Sequence, residues 1–155
     1  MSKAFTKEDD SEENFAPPRA PLPPGTQNYI TAEGAAKIRA ELDRLLEAKR
    51  NLNSDSINRS TIDSRIQHLQ NLVQTFVVVE RAESDLVRFG SEVTVNQNGM
   101  EERYRIVGVD EIDLAKDHIS WLSPLARALM AKRAGDEVEF RAPSGVQRLK
   151  ILTIH

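Results

Sequence analysis

Two stretches of helical hydrophobic period, separated by a short polar break, constrain the fold of this 155-residue chain more than any other feature. Ala35, Ile38, Leu42 and Leu45 recur at spacings of 3, 4 and 3, and Ile62, Ile66, Leu69, Val73 and Phe76 at 4, 3, 4 and 3. Each series lays its apolar side chains along one face of a helix. Thr31 stands where an N-cap belongs, and Glu33 falls in the first turn, where a carboxylate complements the helix dipole. Between the series, Asn51 to Ser56 is polar apart from Leu52. Two helices of similar length joined this way are expected to fold back as an antiparallel hairpin, seam against seam. Each arm is about 20 residues, or about 30 Å at 1.5 Å per residue. Basic and acidic side chains are mixed on the outer faces, with Glu33 and Lys37 at i,i+4 spacing, so the hairpin is not a phosphate-binding stripe. The seam is also able to pair between chains, but the polar break favours closure within one chain, and a monomer is expected.

The flanks read differently. Residues 1–28 hold Pro17, Pro18, Pro21, Pro23 and Pro24 and the acidic cluster Glu8, Asp9, Asp10, Glu12 and Glu13, with little to bury. This composition predicts a disordered acidic and Pro-rich tail. The hairpin is assigned to 29–82, where Thr75 to Val79 is rich in β-branched residues and suits a helix end passing into a strand or linker. Residues 83–155 carry a code of short strands: Ser91 to Asn96, a Gln97-Asn98-Gly99 turn, Glu102 to Val109, and Ser120 to Leu122. Ser123-Pro124 opens a helix, with Ser as N-cap and Pro at N1, and Gly135 is expected to close it after Lys132 and Arg133. Val138 to Phe140 and Val146 to Ile154 flank the turn Ala142-Pro143-Ser144-Gly145. The fold class is α+β, a helical hairpin followed by an antiparallel sheet with one helix.

Composition narrows the function. Lys plus Arg number 21 against 24 Asp plus Glu, a net charge of −3, which argues against a free-standing DNA or RNA binder. Cysteine is absent, removing disulfides, thiol nucleophiles and Cys-based zinc sites. The three histidines, His68, His118 and His155, are scattered, so no metal site and no cofactor is expected. No apolar run approaches the ~20 residues that span a bilayer, and the start lacks a signal-peptide core, so the expected compartment is the cytoplasm, with no membrane partner.

The C-terminal residues carry a resemblance. Tyr104-Arg105-Ile106-Val107-Gly108, Asp110-Glu111, Ile119-Ser120, Ser123-Pro124-Leu125-Ala126-Arg127-Ala128-Leu129, Gly135-Asp136 and Pro143-Ser144-Gly145 follow one another in the order and spacing of the bacterial Gre transcription elongation factors. Thr31-Ala32-Glu33-Gly34 leading into Leu42 and Leu45 resembles the start of that family's N-terminal coiled coil. The resemblance spans 29–155, and Asp110-Glu111-Ile112 with Lys116-Asp117 is closer to the GreB branch than to GreA. It implies an FKBP-like C-terminal domain that docks on the rim of the RNA polymerase secondary channel, and a coiled coil that reaches into the channel. The implied contact residues are Asp110, Glu111, Ser123, Pro124, Ala126 and Arg127, with DNA and RNA met only indirectly through the transcription complex.

The sequence departs from the family at the hairpin tip. Cleavage-stimulating members resemble one another there in an Asp and a Glu within one turn, which hold a second Mg²⁺ for the polymerase. Here the tip runs from Asn51 to Ser60, and Asp55 is its only carboxylate. The arms are also shorter than the family norm by about ten residues each, or about 15 Å of reach. These departures imply a regulator with no catalysis of its own, in which transcript cleavage is weak or absent and Asp55 is the one tip candidate. Two alternatives stand beside it: a short-coil factor resembling the regulator of nucleoside diphosphate kinase, and an FKBP-like peptidyl-prolyl isomerase built around a pair such as His118 and Trp121.

Overall fold

The computed structural model describes Phe15, residues 19–53 and residues 58–155. Asp55 and most of the acidic, Pro-rich stretch lie outside the described residues. The chain divides into two compact units, one containing 36–75 and the other made of 22–35 and 76–155.

In the first unit, helix α1 (Ala32–Arg50) supplies all but its opening turn, and helix α2 (Arg59–Thr75) is complete. Ile38 and Leu45 on α1 and Ile62, Ile66 and Leu69 on α2 are buried, the stripe that the 3,4 spacing demands. Two ion pairs link the helices. Arg65 donates to both Glu41 carboxylate oxygens at 2.8 and 3.1 Å, and Lys49 lies 2.7 Å from Asp63. The earlier position on α1 meets the later one on α2, so these contacts run antiparallel. The forked Arg65 pair is the geometry in which an Arg–carboxylate contact is most specific. The Phe15 ring lies 5.3 Å under the same guanidinium.

The second unit holds two sheets. Strand β1 (Asn28–Thr31) runs directly into α1, and β2 (Phe76–Val79) directly follows α2. They pair in parallel, from Asn28 opposite Phe76 to Thr31 opposite Val79. The β-branched run at the end of α2 is thus a strand. Its pairing with a four-residue strand ahead of α1 was not readable from either segment alone.

The larger sheet has the order β5-β4-β3-β7-β6, with β3 (Glu92–Gln97), β4 (Met100–Val107), β5 (His118–Ser120), β6 (Glu137–Ala142) and β7 (Gly145–Ile154). Val93, Val95, Ile106, Val138, Leu149 and Ile151 are buried in one cluster with Val87. Each such residue, fully buried, contributes about 1.5–3 kcal/mol. Asn98 and Gly99 both have positive φ, 55° and 83°, the left-handed pair that a two-residue hairpin turn requires.

Two expectations are corrected. The sheet is not wholly antiparallel, because β4 and β5 pair in parallel, Arg105 opposite His118 through Val107 opposite Ser120. The helix after Ser123 is also shorter than expected: α3 (Pro124–Leu129) ends well before Gly135. Long-range pairing ends it. Ala131, at φ 65°, donates to the Val87 carbonyl at 2.9 Å, and the Val87 N–H donates to Lys132 O at 2.9 Å. These bonds draw the chain out of the helix, and Gly135, at φ 92°, serves the next turn into β6.

Candidate functional site

The parallel β4–β5 pair decides which residues meet. Because Val107 lies opposite Ser120, the segments leaving both strands emerge at the same end of the sheet, and the Trp121 N–H donates to Val107 O at 2.9 Å. An antiparallel pair would have sent them to opposite ends. The turn with Asp110 and Glu111 and the start of α3, with Ser123, Pro124, Ala126 and Arg127, therefore both lie beyond that end of the sheet.

These six residues divide by depth. Ser123 caps α3, its hydroxyl accepting from the Ala126 N–H at 3.1 Å, while Pro124 occupies the first turn. Pro124 and Arg127 are exposed, and Arg127 makes no ion pair among the described residues. Asp110 is half-buried, and its carboxylate accepts from the Asn28 side-chain amide at 2.9 Å. Ala126 is fully buried in the core, and Glu111 is buried at 1% exposure. Neither presents a side chain outward, so both can serve a contact surface only from beneath.

Glu111 has a complete set of partners. One carboxylate oxygen accepts from the Gly108 N–H at 2.7 Å and the Thr31 N–H at 3.0 Å; the other accepts from the Thr31 hydroxyl. The same Thr31 oxygen accepts from the Gly34 N–H at 3.0 Å, which makes Thr31 the cap of α1. The buried carboxylate thus lies at a helix N-terminus, where the dipole favours negative charge. Two glycines make the approach possible. A Cβ on Gly34 would stand 2.0 Å from a Glu111 carboxylate oxygen, and one on Gly108 would stand 2.0 Å from the Tyr29 carbonyl oxygen. The Glu111 carbonyl in turn is held by His118 Nδ1 at 2.8 Å.

Sequence reasoning identified Thr31 as a cap but missed that it, Gly34, Gly108 and Asn28 brace the Asp110-Glu111 turn. A glycine two residues before an Asp-Glu pair was the available signal for Gly108. No local signal connects Thr31 with a residue 80 positions away.

Nearby, the rings of Tyr29, Phe89 and Trp121 pack edge to face, with centroids 5.1 to 6.4 Å apart. Trp121 is engaged with its aromatic neighbours and His118 with a backbone carbonyl. Arg105 pairs with Glu33 at 3.0 Å. The Glu33 carboxyl is held below its ordinary range by its own backbone N–H, with Arg105 adding to this and partial burial opposing it. Burial, with Glu102 adding, pushes the Tyr104 phenol up. Among the described residues no group of three or more His, Asp or Glu is placed to hold a metal ion. No described helix is long and apolar enough to cross a membrane.

Comparison with known proteins places these features in a family. Residues 82–155 match the family model described as "Transcription elongation factor, GreA/GreB, C-term". The chain is 36% identical over 153 residues to transcription elongation factor GreB of Neisseria meningitidis serogroup B, covering 83% of this chain and 94% of the relative. It is 32% identical to GreA of Geobacillus kaustophilus, covering 83% and 96%. Among solved structures, Gfh1 of Thermus thermophilus aligns over 84% of this chain and 99% of its own, at 22% identity and a TM-score of 0.42. With relatives of more than 30% identity matched along nearly their whole length, the chain belongs to the GreA/GreB family of transcription elongation factors, on the GreB-like side.

Proposed function

We propose that this protein binds RNA polymerase at the rim of the secondary channel and regulates elongation without adding catalytic groups of its own. The observation that carries this reading is the convergence, at one end of the sheet, of the Asp110 turn and the α3 start, with Arg127 exposed and unpaired among the described residues. Asp110, Ser123, Pro124 and Arg127 form the contact surface; Glu111 and Ala126 hold it from below. A rigid proline, a capped helix start and a forked guanidinium suit a compact protein interface. The C-terminal domain, 83–155, is read as the FKBP-like docking head. The two helices are read as a short coiled coil directed into the channel, and the protein as a cytoplasmic monomer.

The same reading makes stimulation of transcript cleavage weak or absent. Between the helices Asp55 is the single carboxylate, so the paired oxygen ligands a weakly held Mg²⁺ needs are missing. The arms read shorter than the family norm by about ten residues each, or about 15 Å of reach at 1.5 Å per residue, and coordination distances of 2–2.6 Å tolerate no such deficit.

The test is an arrested-elongation assay with bacterial RNA polymerase, with and without the protein. Binding without RNA shortening, and loss of binding in Arg127→Ala, is the expected result. Rapid shortening that disappears in Asp55→Ala would overturn the reading of the tip.

A further inference from the structure

We infer that Phe15 is an anchor that holds the acidic residues 8–13 over the face of α1 bearing Lys37 and Arg44, as a cover supplied by the chain itself. The inference stands apart from the docking reading above. Phe15 is the one large apolar side chain between residues 6 and 21, in a stretch otherwise made of charged residues, prolines and small residues. Its ring is half-buried and lies 5.3 Å from the Arg65 guanidinium, within the range at which a cation is drawn to an aromatic face. That guanidinium is itself fixed, since Arg65 is 22% exposed and donates to both Glu41 carboxylate oxygens. A guanidinium gripped at its edge by a carboxylate keeps its flat face for a ring. Phe15 and residues 36–75 accordingly fall within one compact unit.

Reach and charge select what this anchor holds. Lys37 stands four positions before Glu41 and Arg44 three after it, spacings that put all three on one face of α1, and both cations are exposed. Measured along the axis from Glu41, the two cations lie about 6 and about 4.5 Å away. Glu13 stands two residues before Phe15 and Glu8 seven, which in an extended chain is about 7 to about 25 Å of reach. Both cations are thus accessible to carboxylates tethered at Phe15. The signs also match. Residues 8–13 carry five carboxylates and no cation, while residues 36–75 carry seven Lys and Arg against five Asp and Glu. A segment on so short a tether has a high effective concentration at its target, so a free polyanion has to displace it from Lys37 and Arg44.

The chain has no cysteine, so Ser11→Cys gives one attachment point for a nitroxide label inside the acidic cluster without removing a charge. In amide NMR spectra of the full chain, the Lys37 and Arg44 signals are expected to lose most of their intensity with the label oxidised and to regain it with the label reduced. Adding Phe15→Ala is expected to abolish that broadening, and so is about 1 M salt, where the screening length is about 3 Å. Glu12→Gln/Glu13→Gln, which keeps the anchor, is expected to reduce it. Unshifted signals from the rest of α1 and α2 show that each variant is folded. No broadening in the labelled chain, or broadening that survives Phe15→Ala, would overturn the anchor. Broadening indifferent to salt and to the Gln substitutions would overturn the cover, because charge would then not be what selects the face.

Discussion

The carboxylate of Glu111 accepts hydrogen bonds from both the backbone N–H and the hydroxyl of Thr31, 80 residues earlier in the chain. Those bonds join the start of α1 to the turn that carries Asp110. Replacing Glu111 with Ala leaves the N–H groups of Thr31 and Gly108 buried without partners. Each such orphan costs about 1–3 kcal/mol, so a loss of roughly 2–5 kcal/mol is expected. Denaturant unfolding of Glu111→Ala beside the parent measures it; a loss below about 1 kcal/mol would show that water replaces the carboxylate at little cost.

Gly108→Ala should be at least as damaging as its small volume change is slight. The new methyl would lie 2.0 Å from a backbone carbonyl oxygen of β1, which has no rotamer to escape into. Gly34→Ala meets the Glu111 carboxylate instead, also at 2.0 Å, and that side chain is locked by its three donors. Each is expected to destabilise by about 2 kcal/mol or more, within the range of overpacking. Thermal melts that coincide with the parent's would refute this account of the two glycines.

Arg127→Ala separates binding from folding. The side chain is exposed and makes no ion pair among the described residues, so the melting midpoint should stay within the roughly ±0.5 kcal/mol band of ordinary surface changes. Affinity for core polymerase should fall by about tenfold or more, in line with a central interface arginine. Pull-down and anisotropy titration read the difference, and equal affinity in the two proteins would remove Arg127 from the interface.

Asp55→Ala should leave the length distribution of nascent RNA in arrested complexes unchanged, because one carboxylate without a neighbour is a poor ligand for a weakly held Mg²⁺. Installing a second acid at the tip, for example Ile57→Glu, should not restore cleavage either if reach is the greater deficit. Cleavage appearing in that variant would show that the finger is long enough and only its chemistry was missing.

The Glu33 carboxyl gives a small acid limb to stability. Its folded value lies below the ordinary 4.5, so its contribution is present above that pH and is lost as pH falls through the folded value. The side chain is 62% exposed, and solvent screening limits the contribution to about 0.5 kcal/mol or less. The stability gap between the parent and Glu33→Gln, followed by urea unfolding from about pH 6 to about pH 3, should therefore shrink toward zero. A gap that does not change with pH would mean that the folded state does not favour the charged Glu33 carboxyl.

Local chemistry in the sequence determined the elements. The 3,4 spacing placed the two long helices, Thr31 and Ser123 marked the caps of α1 and α3, and Asn98-Gly99 marked a hairpin turn, because capping and left-handed turns depend on residues a few positions apart. Only the tertiary structure decided the parallel pairs β1–β2 and β4–β5, the early end of α3 at its bonds with Val87, and the burial of Glu111. Each is settled by partners far along the chain, and no periodicity records which strand a segment lies beside. The candidate site shows the same division: its residues were legible as a motif, but which of them face outward and which hold the surface from within followed from the crossover that sets β5 alongside β4.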